Sequence, residues 1–456
     1  MNKYRLSAGF ALFLTLFFAS CDKYLDIIPA GDVIPETVTE YRATLNNGYA
    51  SAPSQMLINM RGLVYDHQAD ALGYNFDAFD LYKTIHTWAD TDDNDGRSEQ
   101  YPYYSFYKGI FYANTIILAD PATVKDDDPD EDFGQVLSEA YALRAYNYFC
   151  LVNLYGPKWS KETAGTLVVP LNNLINTEQT FPRATLEAVY DQILGDLKKA
   201  EELSQVSRFK EERYRYRFSG EAILAFASRV HLYRGEWQKA LEYAQKALKV
   251  SDKLTDLNST DKDGHLPTDY RSEEALANFT PQQASDINGY LSVQDPLLAL
   301  YPEGDLRPSK YYTKFSQDFV TFYKTMAKVG SSSTGVTFRR SEVYLNAAEA
   351  ASRLGNDADA RRYLDQLLAN RMTPQAFSLK EAKTDDLRGE KLLAEILLQR
   401  RLELAGEGHD WFDFKRTTQP ELTKTVRGEV FTLPAGDPRY TIKLPKEAVE
   451  NNPLLQ

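Results

Sequence analysis

The chain has 456 residues, 43% hydrophobic and 26% charged, enough apolar side chain for a large interior under an ordinary polar surface. A formal charge of −13, with no basic run, excludes nucleic acid as a partner, because a polyanion needs a contiguous basic face. With 30 Tyr and 23 Phe against 5 His and 2 Cys, the composition favours aromatic packing and ring stacking over metal chemistry.

Residues 1–20 read as a signal peptide: Lys3 and Arg5 precede an apolar run that closes on Ala19-Ser20-Cys21. That run is about a dozen residues, short of the ~20 that cross a bilayer as a helix. The small pair before Cys21 resembles the lipobox of bacterial lipoproteins, in which the cysteine is lipidated and becomes the mature N-terminus. Phe18 departs from the leucine usual there. Residues 21–456 read as a single helical domain, tethered through Asp22-Lys23-Tyr24-Leu25-Asp26. Cys150 lies in an apolar helix and reads as a core residue, so no disulfide with Cys21 is expected.

A first helix is predicted over Glu36 to Ala50 from Val38, Tyr41, Leu45 and Tyr49. Periodicity then lapses from about 52 to 100, an aromatic and loop-rich excursion ending in Asp90, Asp92, Asp93 and Asp95. Helix returns at Tyr104 to Leu118, with Ile110, Phe111, Asn114 and Ile117 on one face. The acidic run Asp126 to Asp132, broken by Pro129, reads as a solvated loop. Gln135 to Tyr155 and Thr185 to Leu203 form a helical pair around an irregular crossover. Ser219 to Arg234 and Trp237 to Val250 form the next, turning at Gly235. A second excursion runs from about 251 to 335.

Phe338 to Arg371 is the clearest hairpin. Val343, Ala347, Ala350, Ala351 and Leu354 recur at helical spacing, Gly355 suits a left-handed cap, and Asp357 can cap a helix carrying Ala360, Tyr363, Leu364, Leu367 and Leu368. Gly235 and Ala240 repeat the spacing of Gly355 and Ala360, a divergent internal repeat of the tetratricopeptide kind. A last helix is predicted over Lys391 to Ala405. The fold class is therefore mostly α, with two irregular excursions hung on helical pairs.

Several chemistries are not supported. No phosphate loop, strand-linked GxGxxG or HExxH motif is present, and His67, His86, His231, His265 and His409 lack ligand spacing. Thr91 to Pro102 fails as an EF-hand at both end positions, which leaves open only a looser structural calcium site; no other metal or cofactor is expected. No pair of carboxylates stands out for glycoside hydrolysis.

Taken in order, the segments resemble one family, the SusD/RagB nutrient-binding outer-membrane lipoproteins. The likeness rests on Cys21 to Asp26, Leu143-Arg144-Ala145-Tyr146 closing on Tyr155-Gly156, and Leu232 to Trp237. It continues through Glu342 to Ala350, Arg400 to Leu404, Glu407-Gly408-His409, Trp411 to Arg416, and Leu444-Pro445 with Asn452-Pro453 and Gln456. Gln399 and Asp410 stand where the family usually has Glu and commonly Arg. Membership implies four tetratricopeptide-like pairs, a lipid anchor at Cys21 and an outward-facing position on the outer membrane. It also implies a SusC-like TonB-dependent transporter as partner and no enzymatic activity.

The ligand expected on this reading is an oligosaccharide; oligopeptide capture, or a scaffold or transporter lid without a ligand, are the alternatives. Trp88, in a polar loop near Asp92, is the leading candidate for stacking on a sugar face, with carboxylates and amides taking hydroxyls. Tyr74, Asn75 and Phe76 in the first excursion and Phe279 and Tyr290 in the second are further candidate contacts. Trp237 and Trp411 read as structural. The acidic surface is expected to disfavour highly anionic glycans.

Overall fold

A computed structural model of the chain describes residues 35–67, 83–89, 103–176, 179–259, 264–281, 291–315, 323–328, 334–335, 337–426 and 428–456. Its long helices are α1 (Val38–Ala50), α2 (Tyr103–Ile117), α3 (Phe133–Tyr155), α4 (Leu186–Leu203), α5 (Gly220–Tyr233), α6 (Trp237–Val250), α7 (Arg340–Arg353), α8 (Asp357–Leu368), α9 (Pro374–Thr384) and α10 (Gly389–Glu403). Successive partners pack as the pairs α1 with α2, α3 with α4, α5 with α6 and α7 with α8, and α10 lies against α7. Among the described residues no helix is long and apolar enough to cross a membrane.

Local chemistry explains where these helices begin and turn. Thr37 and Glu40 form a capping box on α1, each side chain accepting from the other's backbone N–H. Thr185 and Ser219 cap α4 and α5 in the same manner as Thr37, through their side-chain oxygens. Gly355 turns the α7–α8 hairpin with φ +78, a conformation that penalises any residue with a Cβ. Asn356, rather than Asp357, caps α8: its side chain accepts from the Asp359 N–H, and Asp357 is already the first helical residue. The two helices approach closely because the facing positions Ala347, Ala350, Ala351 and Ala360 are small and fully buried.

The core between pairs is aromatic. Phe218, Phe226, Phe279 and Phe338 pack ring against ring, and Tyr146 and Phe149 meet them edge-on. Each such side chain contributes roughly 1.5–3 kcal/mol by leaving water. Cys150 lies in this core, where burial pushes its thiol up to about 12, so it is an inert packing residue.

Three sequence expectations are corrected. On α2 the buried residues include Ala113 and Ile116, while Phe111 and Ile117 are half-buried, a rotation imposed by packing α2 between α1 and α3. The acidic run is more than a solvated loop: Asp132 caps α3, and Glu131 accepts from Arg42 at 2.9 Å and from Arg217 at 2.8 Å. The excursions also carry local structure. Met56–Arg61 is helical, and Tyr65–His67 pairs antiparallel with Leu291–Val293, which joins the first excursion to the second.

Beneath α10 the second excursion covers a dry ionic cluster. Glu403, fully buried, accepts from Arg339 at 2.6 Å and Arg371 at 3.0 Å; Arg371 also reaches Glu274 at 2.7 Å. Lys328 and Arg339 share Glu407 at 2.6 and 2.7 Å, and Arg307 lies 2.6 Å from Asp305. Burial alone would raise the Glu403 carboxyl, but Arg371, Arg339 and Arg307 overcome it and hold the group well below its usual range. The two departures from the family pattern are absorbed here and nearby. Gln399 accepts from Arg307 at 2.6 Å, and Asp410 accepts from Arg401 at 2.9 Å and from the Leu63 N–H at 2.6 Å.

Candidate functional site

Where the end of the helix Met56–Arg61, the short segment 83–89 and the C-terminal tail converge, they line a half-open cavity of about 650 Å³. That size suits a small ligand, for which pockets of roughly 300–1,000 Å³ are usual. Its walls come from four distant parts of the chain. Arg61 and Thr84 belong to the first excursion, Tyr155 to the end of α3, Arg183 to the strand Arg183–Thr185, and Arg439 and Leu444 to the tail.

Trp88 organises this wall from behind, which corrects the expectation that it stacks on ligand. Its ring is fully buried, its Nε1 donates to the Arg61 carbonyl at 2.8 Å, and the Lys424 ammonium sits 4.5 Å from the ring centroid. Its own carbonyl accepts from Arg439 at 3.2 Å. A backbone φ of +55 at a bulky residue is unfavourable and persists only because these contacts hold it. Lys424 completes the anchor by donating to the Met60 and His86 carbonyls. The polar sequence around Trp88 suggested exposure; the ring is instead drawn inward by carbonyls that need donors.

Phe279 is corrected likewise. It is 5% exposed and packs among Tyr49, Tyr146 and Phe218, an aromatic core position with no face for a ligand. Tyr74, Asn75, Phe76, Asp92 and Tyr290 lie outside the described residues, as do Cys21 and the Thr91 to Pro102 segment considered for calcium. Trp411 is structural as expected: it is fully buried and stacked on Tyr440 with centroids 4.9 Å apart.

The electrostatics of the cavity are unlike those of the chain. Among the described residues its lining holds Arg61, Arg183, Arg439, Lys443 and Lys446 and no Asp or Glu. Arg439 is matched by Asp437 at 2.8 Å, and Lys446 lies 3.7 Å from Glu450. The Asp437 carboxyl is held below its usual value chiefly by hydrogen bonds from Arg439, with the charge of Arg61 a smaller contribution, so two arginines draw on one carboxylate. Arg61 is 5% exposed, its guanidinium 4.6 Å from the Trp411 ring centroid. Its Nη2 donates to the Arg439 carbonyl, but its Nε has no acceptor, and the Thr84 hydroxyl is also buried without a partner. Such orphaned polar atoms are uncommon in protein interiors.

Sequence reasoning missed Arg61, Arg183 and Arg439. They are scattered singly along the chain and lie in no motif, so only the folded arrangement shows that they share a wall.

Comparison with known proteins bears on the whole molecule. Residues 23–232 match the SusD-like_3 family, described as starch-binding associating with outer membrane, and residues 302–436 match SusD_RagB, described as the SusD family. SusD-like protein P38 of Formosa agariphila is 24% identical over 392 residues, covering 71% of this chain and 73% of that protein. A SusD superfamily crystal structure from Bacteroides fragilis superposes with a TM-score of 0.74 at 20% identity, over 93% of this chain and 100% of the other. A SusD-like carbohydrate binding protein from Bacteroides vulgatus gives 0.69 at 18% identity, over 92% and 97%. At such identities the structural likeness shows the fold, and the two family matches show the lineage. With the motifs, the paired helices and both halves of the sequence in agreement, the chain belongs to the SusD/RagB family.

Proposed function

We propose that this protein is a cell-surface binding lipoprotein that captures oligosaccharides and passes them to a SusC-like TonB-dependent transporter in the outer membrane. The observation that carries this reading is the pair of family matches, one of which is described as starch-binding and associating with outer membrane. The likeness to a B. vulgatus protein described as carbohydrate binding supports it. Capture is reversible and without turnover, and attachment is through lipid on Cys21, with the helical body facing outward.

The geometry supports binding rather than chemistry. The cavity offers arginines, hydroxyls and apolar walls, groups that hold a ligand in place, and among the described residues its lining contains no carboxylate that could act as a general acid or base. Tyr74, Asn75, Phe76 and Asp92 in the first excursion and Tyr290 in the second remain part of this proposal, as contacts to sugar rings and hydroxyls.

Calorimetric titration of the detergent-solubilised full-length protein against oligosaccharides and peptides tests the reading. Saturable saccharide binding with no change in ligand length on incubation is the expected result. Peptide binding alone would move the protein to the oligopeptide-capturing side of the family, and cleavage of any ligand would overturn the assignment as a binding protein. Labelling with a fatty acid, lost in Cys21→Ala, tests the anchor.

A further inference from the structure

We infer that the cavity between the first excursion and the C-terminal tail selects saccharides carrying a negatively charged substituent, a carboxylate or a sulfate, held by Arg61 and Arg183. This deepens the glycan-capture reading and rests on it. Acidic residues outnumber basic ones in the chain, 65 to 52, yet among the described residues every charged side chain lining the cavity is basic. Arg439 has Asp437 nearby, and Lys446 has Glu450. Arg61 and Arg183 form no ion pair among the described residues.

Arg61 is the more telling of the two. Burying a guanidinium with only a shared carboxylate nearby is unfavourable, and buried cations are ordinarily paired. Here the side chain is 95% withdrawn from solvent, leans on Trp411, and keeps an Nε with no acceptor. The buried Thr84 hydroxyl on the same wall also lacks a partner. An anion in the cavity supplies a counter-charge to Arg61 and Arg183, and a guanidinium is a strong charge-assisted donor to the oxygens of a carboxylate or sulfate. Arg183, half-buried on the opposite strand, reaches the same space from the solvent side. Apolar surface from Leu167, Tyr155 and Leu444 remains for the body of the sugar.

The net charge of the protein does not oppose this. Exposed charges are screened beyond about 8 Å at physiological salt, whereas groups lining a cavity act at contact distance and in lower dielectric.

The test is calorimetric titration of the full-length protein in detergent with three matched oligosaccharides: neutral, uronate-bearing and sulfated. Inorganic sulfate alone is the fourth ligand, and Arg183→Gln and Arg61→Lys are the variants, each checked for an unchanged thermal transition. One or both charged saccharides are expected to bind about 10-fold tighter than the neutral one, the size of one charge-assisted hydrogen bond. That preference should fall toward unity in Arg183→Gln and at high salt; whichever charged ligand shows it identifies the substituent. Equal binding of neutral and charged saccharides would overturn the inference and leave glycan capture standing. Inorganic sulfate binding as tightly as the best saccharide would also overturn it, since the sugar would then add nothing. No saccharide binding at all would remove both readings.

Discussion

The ionic cluster beneath α10 and the cavity beside Trp88 both draw on arginine, fully buried in the first and, Arg61 apart, half-buried in the second, and they treat it in opposite ways. In the cluster each guanidinium meets a carboxylate: Arg307 with Asp305, Arg339 with Glu403 and Glu407, Arg371 with Glu274 and Glu403. In the cavity Arg61 shares a wall with Arg439 and Arg183, and the nearby Asp437 is taken up by Arg439. Charge that the chain itself completes ties the second excursion to the helices. Charge that it leaves incomplete is available to a ligand. The distinction lies in partners, not in residue type or burial.

Removing a carboxylate from the cluster should produce the largest effect. Glu403→Ala leaves Arg339 and Arg371 short of a counter-charge and should destabilise the fold by about 3–5 kcal/mol, read from urea unfolding. The same pairing sets the acid sensitivity. Glu403 and Glu407 are held below the usual carboxylate value in the folded protein, so their contribution is fully present above about pH 4.3, the unfolded value. It is lost as pH falls through the folded values. Stability measured from pH 6 downward should therefore drop below that point, and Glu403→Ala should flatten the drop.

Trp88→Phe probes the cavity wall. It keeps a ring over Lys424 but removes the donor to the Arg61 carbonyl, at an expected loss of about 1–3 kcal/mol. Saccharide affinity should weaken with it because Arg61 is no longer held; unchanged affinity would show that the wall does not depend on Trp88. Arg183→Gln, by contrast, should change stability by no more than about 0.5 kcal/mol, as expected for a residue the fold does not use. If it unfolds the protein, the division between paired and unpaired arginine fails.

A further effect, confined to a pH window, is expected at Asp365 on α8. Burial first, then the charges of Glu381 and Asp385, raise its carboxyl to about 6. The folded state thus binds more protons than the unfolded one between about pH 4 and 6, and this residue's contribution to stability falls as pH rises through that window. Asp365→Asn should be slightly more stable than the parent at pH 7, with the gain vanishing by about pH 4, where both side chains are neutral. A gain that persists at low pH would point to a cause other than charge.

Much of the scaffold was legible because its signals are local. Val38, Tyr41, Leu45 and Tyr49 mark one face of α1, Gly355 permits a left-handed turn, and Thr185 caps α4; each signal is complete within a few residues. The site was far less legible. Trp88 in a polar stretch reads as a stacking platform, yet its fate depends on the Arg61 carbonyl, 27 residues earlier, and on Lys424, far later in the chain. Phe279 was misplaced for a similar reason: its aromatic neighbours Tyr49, Tyr146 and Phe218 are contributed by three other segments.

What the sequence by itself determined is therefore the set of helices, their turns and caps, and the family that their ordered motifs identify. Periodicity and capping are short-range, so a linear chain displays them openly. Only the tertiary structure decided which charges are satisfied. Whether an arginine is paired depends on carboxylates brought to it from distant positions, and neither Arg61 nor Glu403 carries any mark in the sequence of the opposite surroundings it meets once folded.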